Sequence, residues 1–296
     1  MQRDSIDFSS SDVGKLFRRF LFPTVMGMVF SAVFVITDGI FVGRGIGSDA
    51  LASVNIVAPL FTLGTGLGLM FGMGGSVVAS INLAQDKRRV AEINITQSLA
   101  LPALLIALLS ALLIHCHEPL LMLLGTPGEL MVPAREYLVW FTLFLAPLAV
   151  FNILMFIVRL DGAPGFAMAC NIMAACINIA LDYLFVWEFH WGMAGGAWAT
   201  VIGQAATMLL AIGYLVRRRV GFVPPKAGEV LPLWGALLKV AAAPVGLTFS
   251  PNITLMVMNH FLLRYGGALA IAVYGCIDYV LSTIYMLLQG VGDGAE

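Results

Sequence analysis

Three polar side chains lie inside strongly apolar stretches of the sequence, where a polar group is energetically costly. Asp38 is the one charged residue in FVITDGIFVG at 34–43, and Asn178 and Asp182 share the segment NIMAACINIALDYLFVW at 171–187. Because they are four residues apart, Asn178 and Asp182 stack on one face of a helix, one turn apart. A carboxylate and an amide in this arrangement can share a proton or coordinate a small cation.

The composition identifies an integral membrane protein. Of the 296 residues, 60% are hydrophobic and 11% are charged, and the mean hydropathy is +0.94, whereas soluble proteins have about 45–50% apolar and about 25% charged residues. We predict an all-α polytopic fold with eight membrane spans, since a spanning helix needs about 20 mostly apolar residues. The predicted spans 1–8 run over residues 20–42, 51–82, 93–114, 137–158, 165–187, 194–216, 236–263 and 268–290.

The remaining composition argues against other classes of protein. The net charge is −1, which argues against a nucleic-acid partner, and the lipid bilayer is the expected surrounding. The four cysteines, Cys116, Cys170, Cys176 and Cys276, are scattered, and this is not the spacing of a disulfide framework. The polar N-terminus has no apolar core followed by a cleavage site, so we expect no removable signal peptide.

The basic residues predict an N-terminus in the cytoplasm and a location in the cell (inner or plasma) membrane. In this orientation only Arg44, Arg135 and Arg264 of the 16 Lys and Arg residues lie outside, in agreement with the positive-inside rule. Counting from the span ends puts Asp38 and Asp182 roughly 6–8 Å below the outer surface. Thr200, near the start of span 6, reaches a similar level, so the three polar groups are predicted to share one layer.

If Asp38 and Asp182 meet in a dry pocket, they can take up a proton there and release it when water enters, because desolvation disfavours a charged carboxylate and a second carboxylate adds to the effect. Ionisable groups within spans often mark ion or proton routes. The alternative is that both residues are hydrated close to the membrane surface and act only as polar residues at helix ends.

An internal repeat indicates two lobes. The segments GRGIGSDALASV at 43–54 and LRYGGALAIAV at 263–273 share several residues at a constant offset of 220, and the even number of spans between them makes the repeat parallel. We predict a six-helix N-terminal lobe at 1–216, a cytoplasmic linker at 217–235 and a partial C-terminal lobe at 236–296 that holds the first two helices of a second lobe. We expect this sequence to be a fragment or a truncated gene product, and the missing C-terminal helices to belong to the same full-length chain.

Two other motifs have a simpler explanation than chemistry. Gly64, Gly68 and Gly72 in span 2 are spaced by four and predict a smooth face for helix packing, whereas a phosphate-binding loop would need a preceding strand. A metal site in HCHEP would need His115 and His117 to converge, but residues two apart on a helix point in different directions. We therefore predict no metal site there and interpret the segment as a solvated loop. Four polar or flexible residues are candidates for lining a cavity, with core packing as the alternative: Asn152, Met256, His260 and Asp278.

Together these residues resemble the multidrug and toxin extrusion (MATE) family of cation-coupled exporters, over essentially the whole chain. The resemblance rests on Pro23 followed fifteen residues later by Asp38, on the pair Asn178 and Asp182, on GGAWAT ending in Thr200, and on the loop RLDGAPGFAM. It implies two six-helix lobes around a cavity that opens alternately to the two sides of the membrane, with about eight of the twelve helices present in this sequence.

The resemblance also implies roles for individual residues. In such proteins the cation site of the first lobe uses an Asp on span 1, an Asn and an Asp on span 5 and a Thr on span 6, which match Asp38, Asn178, Asp182 and Thr200. Pro23 would be the residue at which span 1 bends. The sequence departs from the family in having no clean match to an Asn on span 4, for which Asn152 is nearest, and no acid on span 7.

We therefore expect a secondary active exporter, and not an enzyme, in which inward movement of H⁺ or Na⁺ drives efflux of amphipathic, cationic drugs or metabolites. No cofactor is expected apart from the coupling ion. A first alternative is a flippase of related architecture for lipid-linked precursors, although the predicted spans are nearly free of the Lys and Arg that such a cavity would need. A second alternative is a membrane-embedded hydrolase that uses the two aspartates.

Overall fold

The structure, a computed structural model, consists of helices and connecting turns throughout the part of the chain that it describes. That part covers residues 13–225 apart from 125 and 127, together with single residues and short runs between 234 and 291. The long helices are α1 (Val13–Gly45), α2 (Ser48–Ala84), α3 (Arg88–His115), α4 (Met131–Leu160), α5 (Pro164–Asp182) and α6 (Gly192–Arg217). The short elements are a helix at His117–Leu123, a 3₁₀ turn at Gly128–Leu130 and a π-helix at Tyr183–Glu188 that continues α5.

Each of the six long helices, with α5 extended by the π-helix to Glu188, contributes a segment of 22 to 30 residues that is apolar enough to cross a bilayer. The all-α membrane fold predicted for spans 1–6 is thereby confirmed. The segment HCHEP differs from the prediction of a loop, because a second short helix begins at His117 directly after α3 ends at His115. Predicted spans 7 and 8 fall where only isolated residues are described, and Met256, His260 and Asp278 lie outside the described residues.

The helices pack in an order that differs from their order along the chain. α1 packs against α5, α5 against α6, α6 against α4, and α4 against both α2 and α3. The largest buried apolar cluster has members on every helix from α2 to α6. They include Phe71, Ile95, Ile153 and Leu215. As a result α5, which carries Asn178 and Asp182, lies between α1 and α6, which carry Asp38 and Thr200.

The glycines of α2 form the packing face that their spacing predicts. A Cβ atom on Gly68 would lie 3.0 Å from the Cα of Ala149, and one on Gly72 would lie 3.2 Å from the Cα of Ile153. Small residues at such positions let two helix backbones approach closely in a membrane. The interpretation of this run as a packing face for α4, rather than a phosphate-binding loop, is confirmed.

Four side chains tie the turn between α4 and α5, and the start of α5, to the end of α6. The Tyr214 hydroxyl donates a hydrogen bond to Asp161 Oδ2 at 3.0 Å and accepts one from Arg218 Nε at 3.2 Å. The Phe166 ring stacks on Tyr214 with 4.8 Å between centroids. These contacts fix the start of α5 relative to α6, about three to four turns before Asn178.

Candidate ion-coupling site

A hydrogen bond between α5 and α6 forms the centre of the candidate site. Asn178 Nδ2 donates to Thr200 Oγ1 at 3.1 Å, and the Thr200 hydroxyl donates to the Gly196 carbonyl at 3.1 Å. The Asn178 side chain is 2% exposed, and its Oδ1 atom has no hydrogen-bond partner in the described part of the chain. The amide is therefore held by its nitrogen and presents a free acceptor oxygen.

Asp182 is the most deeply buried acidic group of this site. It is 0% exposed, and neither of its carboxylate oxygens has a hydrogen-bond partner among the described residues. A Cβ atom on Gly196 would lie 4.0 Å from Asp182 Oδ1, so α6 presents a backbone without a side chain to the carboxylate. Buried polar groups are usually hydrogen-bonded, and an unpaired carboxylate is an exception that calls for a binding partner such as a proton or a cation.

Asp38 approaches this group from α1. It is half-buried, and its carboxylate is close enough to Asp182 for the two to interact electrostatically. Asp38 precedes the end of α1 at Gly45 by seven residues, Asp182 precedes the end of the π-helix at Glu188 by six, and Thr200 follows the start of α6 by eight. At about 1.5 Å per residue, all three lie roughly 9–12 Å from the same end of the bundle.

Small residues of α6 allow the close approach of α5 that this site requires. A Cβ atom on Gly203 would lie 2.9 Å from the Ala174 carbonyl oxygen and 3.3 Å from the Asn178 nitrogen. A Cβ atom on Gly195 would lie 3.1 Å from the Phe185 carbonyl oxygen. Any larger side chain at Gly203 would push α5 away from Thr200.

The ligand set consists of oxygen atoms: the carboxylates of Asp38 and Asp182, the amide oxygen of Asn178 and the hydroxyl of Thr200. Oxygen donors suit hard cations, and a carboxylate that accepts no hydrogen bond is equally a proton acceptor. Among the described residues, no group of three or more His, Cys, Asp or Glu could hold a metal ion. The site can therefore exchange H⁺ or a small cation.

Two other predicted positions lie in the described helices without a described contact to this group. Asn152 Nδ2 donates a hydrogen bond to the Leu148 carbonyl of its own helix at 3.2 Å, and its role as the nearest match to the family's Asn on span 4 stays a prediction. Pro23 lies within the continuous helix α1, but its side chain is not described, and its role as a bend stays a prediction.

Two further buried amides are not among the predicted site residues. Asn94 and Gln97 on α3 are 0% and 3% exposed, and none of their four side-chain polar atoms has a partner in the region that the structure describes. The sequence does contain a signal for them, because two amides three residues apart in an apolar span lie on one helix face. They lie on α3 and are not part of the group formed by α1, α5 and α6.

The fold and the site together define a multi-pass helical membrane protein with a polar, acidic group buried between its helices. The MatE family model matches residues 23–184, more than half of the sequence, and the chain belongs to this family. It is therefore a transporter-family protein and not an enzyme, as predicted.

Relatives and solved structures agree with this assignment. The multidrug export protein MepA of Staphylococcus saprophyticus is 28% identical over 301 residues, covering 97% of this chain and 64% of that protein. A MOP superfamily transporter from Pyrococcus furiosus superposes with a TM-score of 0.85 at 22% identity, over 96% of this chain and 63% of the other. A MATE protein in complex with MaD3S gives a TM-score of 0.84 at 22% identity, with 96% and 64% covered. These structural likenesses show the fold, and the chain spans less than two thirds of the length of each of these proteins.

Proposed function

We propose that the protein is a secondary active exporter in which H⁺ or Na⁺ entering at Asp38, Asn178, Asp182 and Thr200 drives the efflux of amphipathic, cationic compounds. MepA is a multidrug export protein by name, which supports a drug-like substrate. The proposal includes the cell membrane as its location, a cytoplasmic N-terminus and the division into lobes at 217–235. The lipid bilayer and the exported small molecule are its partners.

The observation that carries the proposal is the fully buried, unpaired carboxylate of Asp182 beside the Asn178–Thr200 hydrogen bond. An uncompensated charge in such surroundings costs several kcal/mol. Binding of a proton or a cation removes that cost, and hydration from one side of the membrane restores the charged form. The occupied and empty states of this group are therefore energetically distinct, which is what a coupling site needs.

The site can communicate with the rest of the molecule through α1. While Asp38 and Asp182 are both charged, they repel each other, and neutralising either one lets α1 and α5 approach. α1 also contacts the C-terminal segment, since a Cβ atom on Gly290 would lie 3.0 Å from Met28 Cγ. Pro23 lacks a backbone N–H and interrupts the helix ladder near this contact, so we assign the bending of α1 to it.

The test replaces each carboxylate of the site separately with its neutral isostere. In the complete gene product, Asp182→Asn and Asp38→Asn should each reduce drug efflux driven by an imposed pH or Na⁺ gradient to background. Membrane insertion and expression should stay normal, because the side-chain volume is kept. Asp86→Asn, in the exposed turn between α2 and α3, is the matched control and should transport normally. Undiminished efflux by either site variant would contradict the coupling role.

A further inference from the structure

The indole of Trp187 is seated on the end of α1. A Cβ atom on Gly45 would lie 2.6 Å from both Trp187 Cδ1 and Nε1, and 2.6 Å from Val186 Cγ1. The Phe41 ring meets the indole edge to face, with 5.3 Å between centroids and an interplanar angle of 72°. Because Gly45 has no side chain, the indole of Trp187, on the π-helix Tyr183–Glu188, can occupy this space.

The contact lies directly beyond the acidic pair. Asp38, Phe41 and Gly45 are separated by three and four residues, which puts them on one face of α1. On the other side, Trp187 follows Asp182 by five residues, and in a π-helix the residue five positions on closes the next turn. The Phe41–Trp187 contact thus lies about one turn nearer to the end of the bundle than Asp38 and Asp182.

The turn that carries Trp187 is held in place by further contacts. Tyr183 lies against the indole at 5.9 Å between centroids, and its hydroxyl donates a hydrogen bond to Glu188 Oε1 at 2.9 Å. Val186 is 2% exposed, whereas Trp187 itself is 40% exposed. Because the indole is partly exposed and lies outside the buried core, its departure from Gly45 does not require the core to rearrange.

We propose that Trp187, with Phe41, is an aromatic cap that closes the polar group of Asp38 and Asp182 toward the end of the bundle where α1 ends and α6 begins. Water and ions reach Asp182 from that side only when α1 parts from the π-helix. The consequence for transport rests on the proposed ion-coupling function, but the closure itself does not.

A competing explanation is that Trp187 is only one of the aromatic residues that anchor membrane proteins at the bilayer surface. A second aromatic group offers the comparison. Trp198 contacts Phe144 at 5.1 Å and Trp140 at 6.2 Å, and it is 37% exposed. It resembles Trp187 in type and exposure, but its partners lie on α4 and include neither α1 nor the π-helix.

The test measures access to the carboxylate directly. The complete gene product is reconstituted in lipid nanodiscs and treated at fixed pH with a water-soluble carbodiimide and glycine ethyl ester, and amidation of Asp182 is quantified by mass spectrometry. Trp187→Leu should raise the amidation of Asp182 at least threefold, Trp187→Phe should stay near the unmodified protein, and Trp198→Leu should leave it unchanged. Equal amidation in Trp187→Leu and the unmodified protein, or an equal rise in Trp198→Leu, would overturn the proposal.

A second pair of variants covers the case in which Trp187→Leu does not fold. Gly45→Ala inserts a methyl group where the indole sits and should expose Asp182 to the reagent. Gly27→Ala lies on the same helix, where no atom of another described element lies within 4 Å of the new Cβ, and it should leave Asp182 protected. Amidation that is the same in both variants contradicts the cap. Amidation measures access of the reagent to Asp182 and tests the cap, whereas drug efflux by Asp182→Asn tests the coupling function. Either proposal can therefore fail while the other stands.

Discussion

At the scale of single residues, Thr200 has the most testable role, because its hydroxyl both accepts from Asn178 and donates to Gly196. Thr200→Val keeps the shape and removes the hydroxyl, which leaves the buried Asn178 amide without its partner. A typical hydrogen bond contributes about 1 kcal/mol, so we expect the efflux rate to fall about fivefold, less than for either Asp→Asn variant. Gradient-driven efflux in everted vesicles measures this.

Thr207 provides the matched control on the same helix. It is buried, and its hydroxyl donates to the Gly203 and Gln204 carbonyls of its own helix α6, which keep their helical N–H donors. Thr207→Val should therefore leave efflux close to normal. A loss in Thr200→Val as deep as in Asp182→Asn, or an equal loss in Thr207→Val, would mean that the hydroxyl does something other than hold Asn178.

The residues of the site differ in how well they could be predicted from the sequence. Asp38 and Asp182 stand out because a carboxylate in an apolar span is costly whatever lies around it. Gly203 and Gly196 could not be assigned, because their importance depends on which backbone lies opposite. Trp187 could not be assigned either, since its five-residue spacing from Asp182 has meaning only in a π-helix, and residue periodicity predicts an ordinary helix over this whole span.

At the scale of elements, the close packing of α5 on α6 determines whether the site exists. Gly203→Ala would place a methyl group 2.9 Å from the Ala174 carbonyl oxygen, and the helices must separate to admit it. Overpacking of this kind costs about 1–3 kcal/mol, so we expect a lower thermal unfolding midpoint together with reduced efflux. Both can be measured on purified protein and in everted vesicles.

Gly213→Ala on the same helix separates packing from helix propensity. No atom lies within 4 Å of its Cβ position, and alanine is favoured over glycine in a helix interior by about 1 kcal/mol. This variant should therefore unfold at the same or a higher temperature and transport normally. If the two variants lose stability equally, the contact between Gly203 and α5 does not determine the geometry of Asn178.

At the scale of the whole molecule, successive helices run in opposite directions, so the connecting loops lie alternately at the two ends of the bundle. The turn with Lys87 joins α2 to α3 at one end, and the segment with Gly128 joins α3 to α4 at the other. The candidate site and its aromatic cap lie nearer to the end with Gly128. The direction of ion entry therefore depends on which end faces the cytoplasm, and the basic residues predict that it is the end with Lys87.

Cysteine labelling tests this orientation. In a cysteine-free background of the complete gene product, Gly128→Cys should react with a membrane-impermeant maleimide in intact cells, because Gly128 is exposed and no atom of the described helices lies within 4 Å of its Cβ position. Lys87→Cys, also exposed, should react only in everted vesicles. The reverse pattern would put Asp182 nearer to the cytoplasm, and the same carboxylate would then take up its ion from inside the cell, which is incompatible with an exporter driven by inward ion movement through this cap.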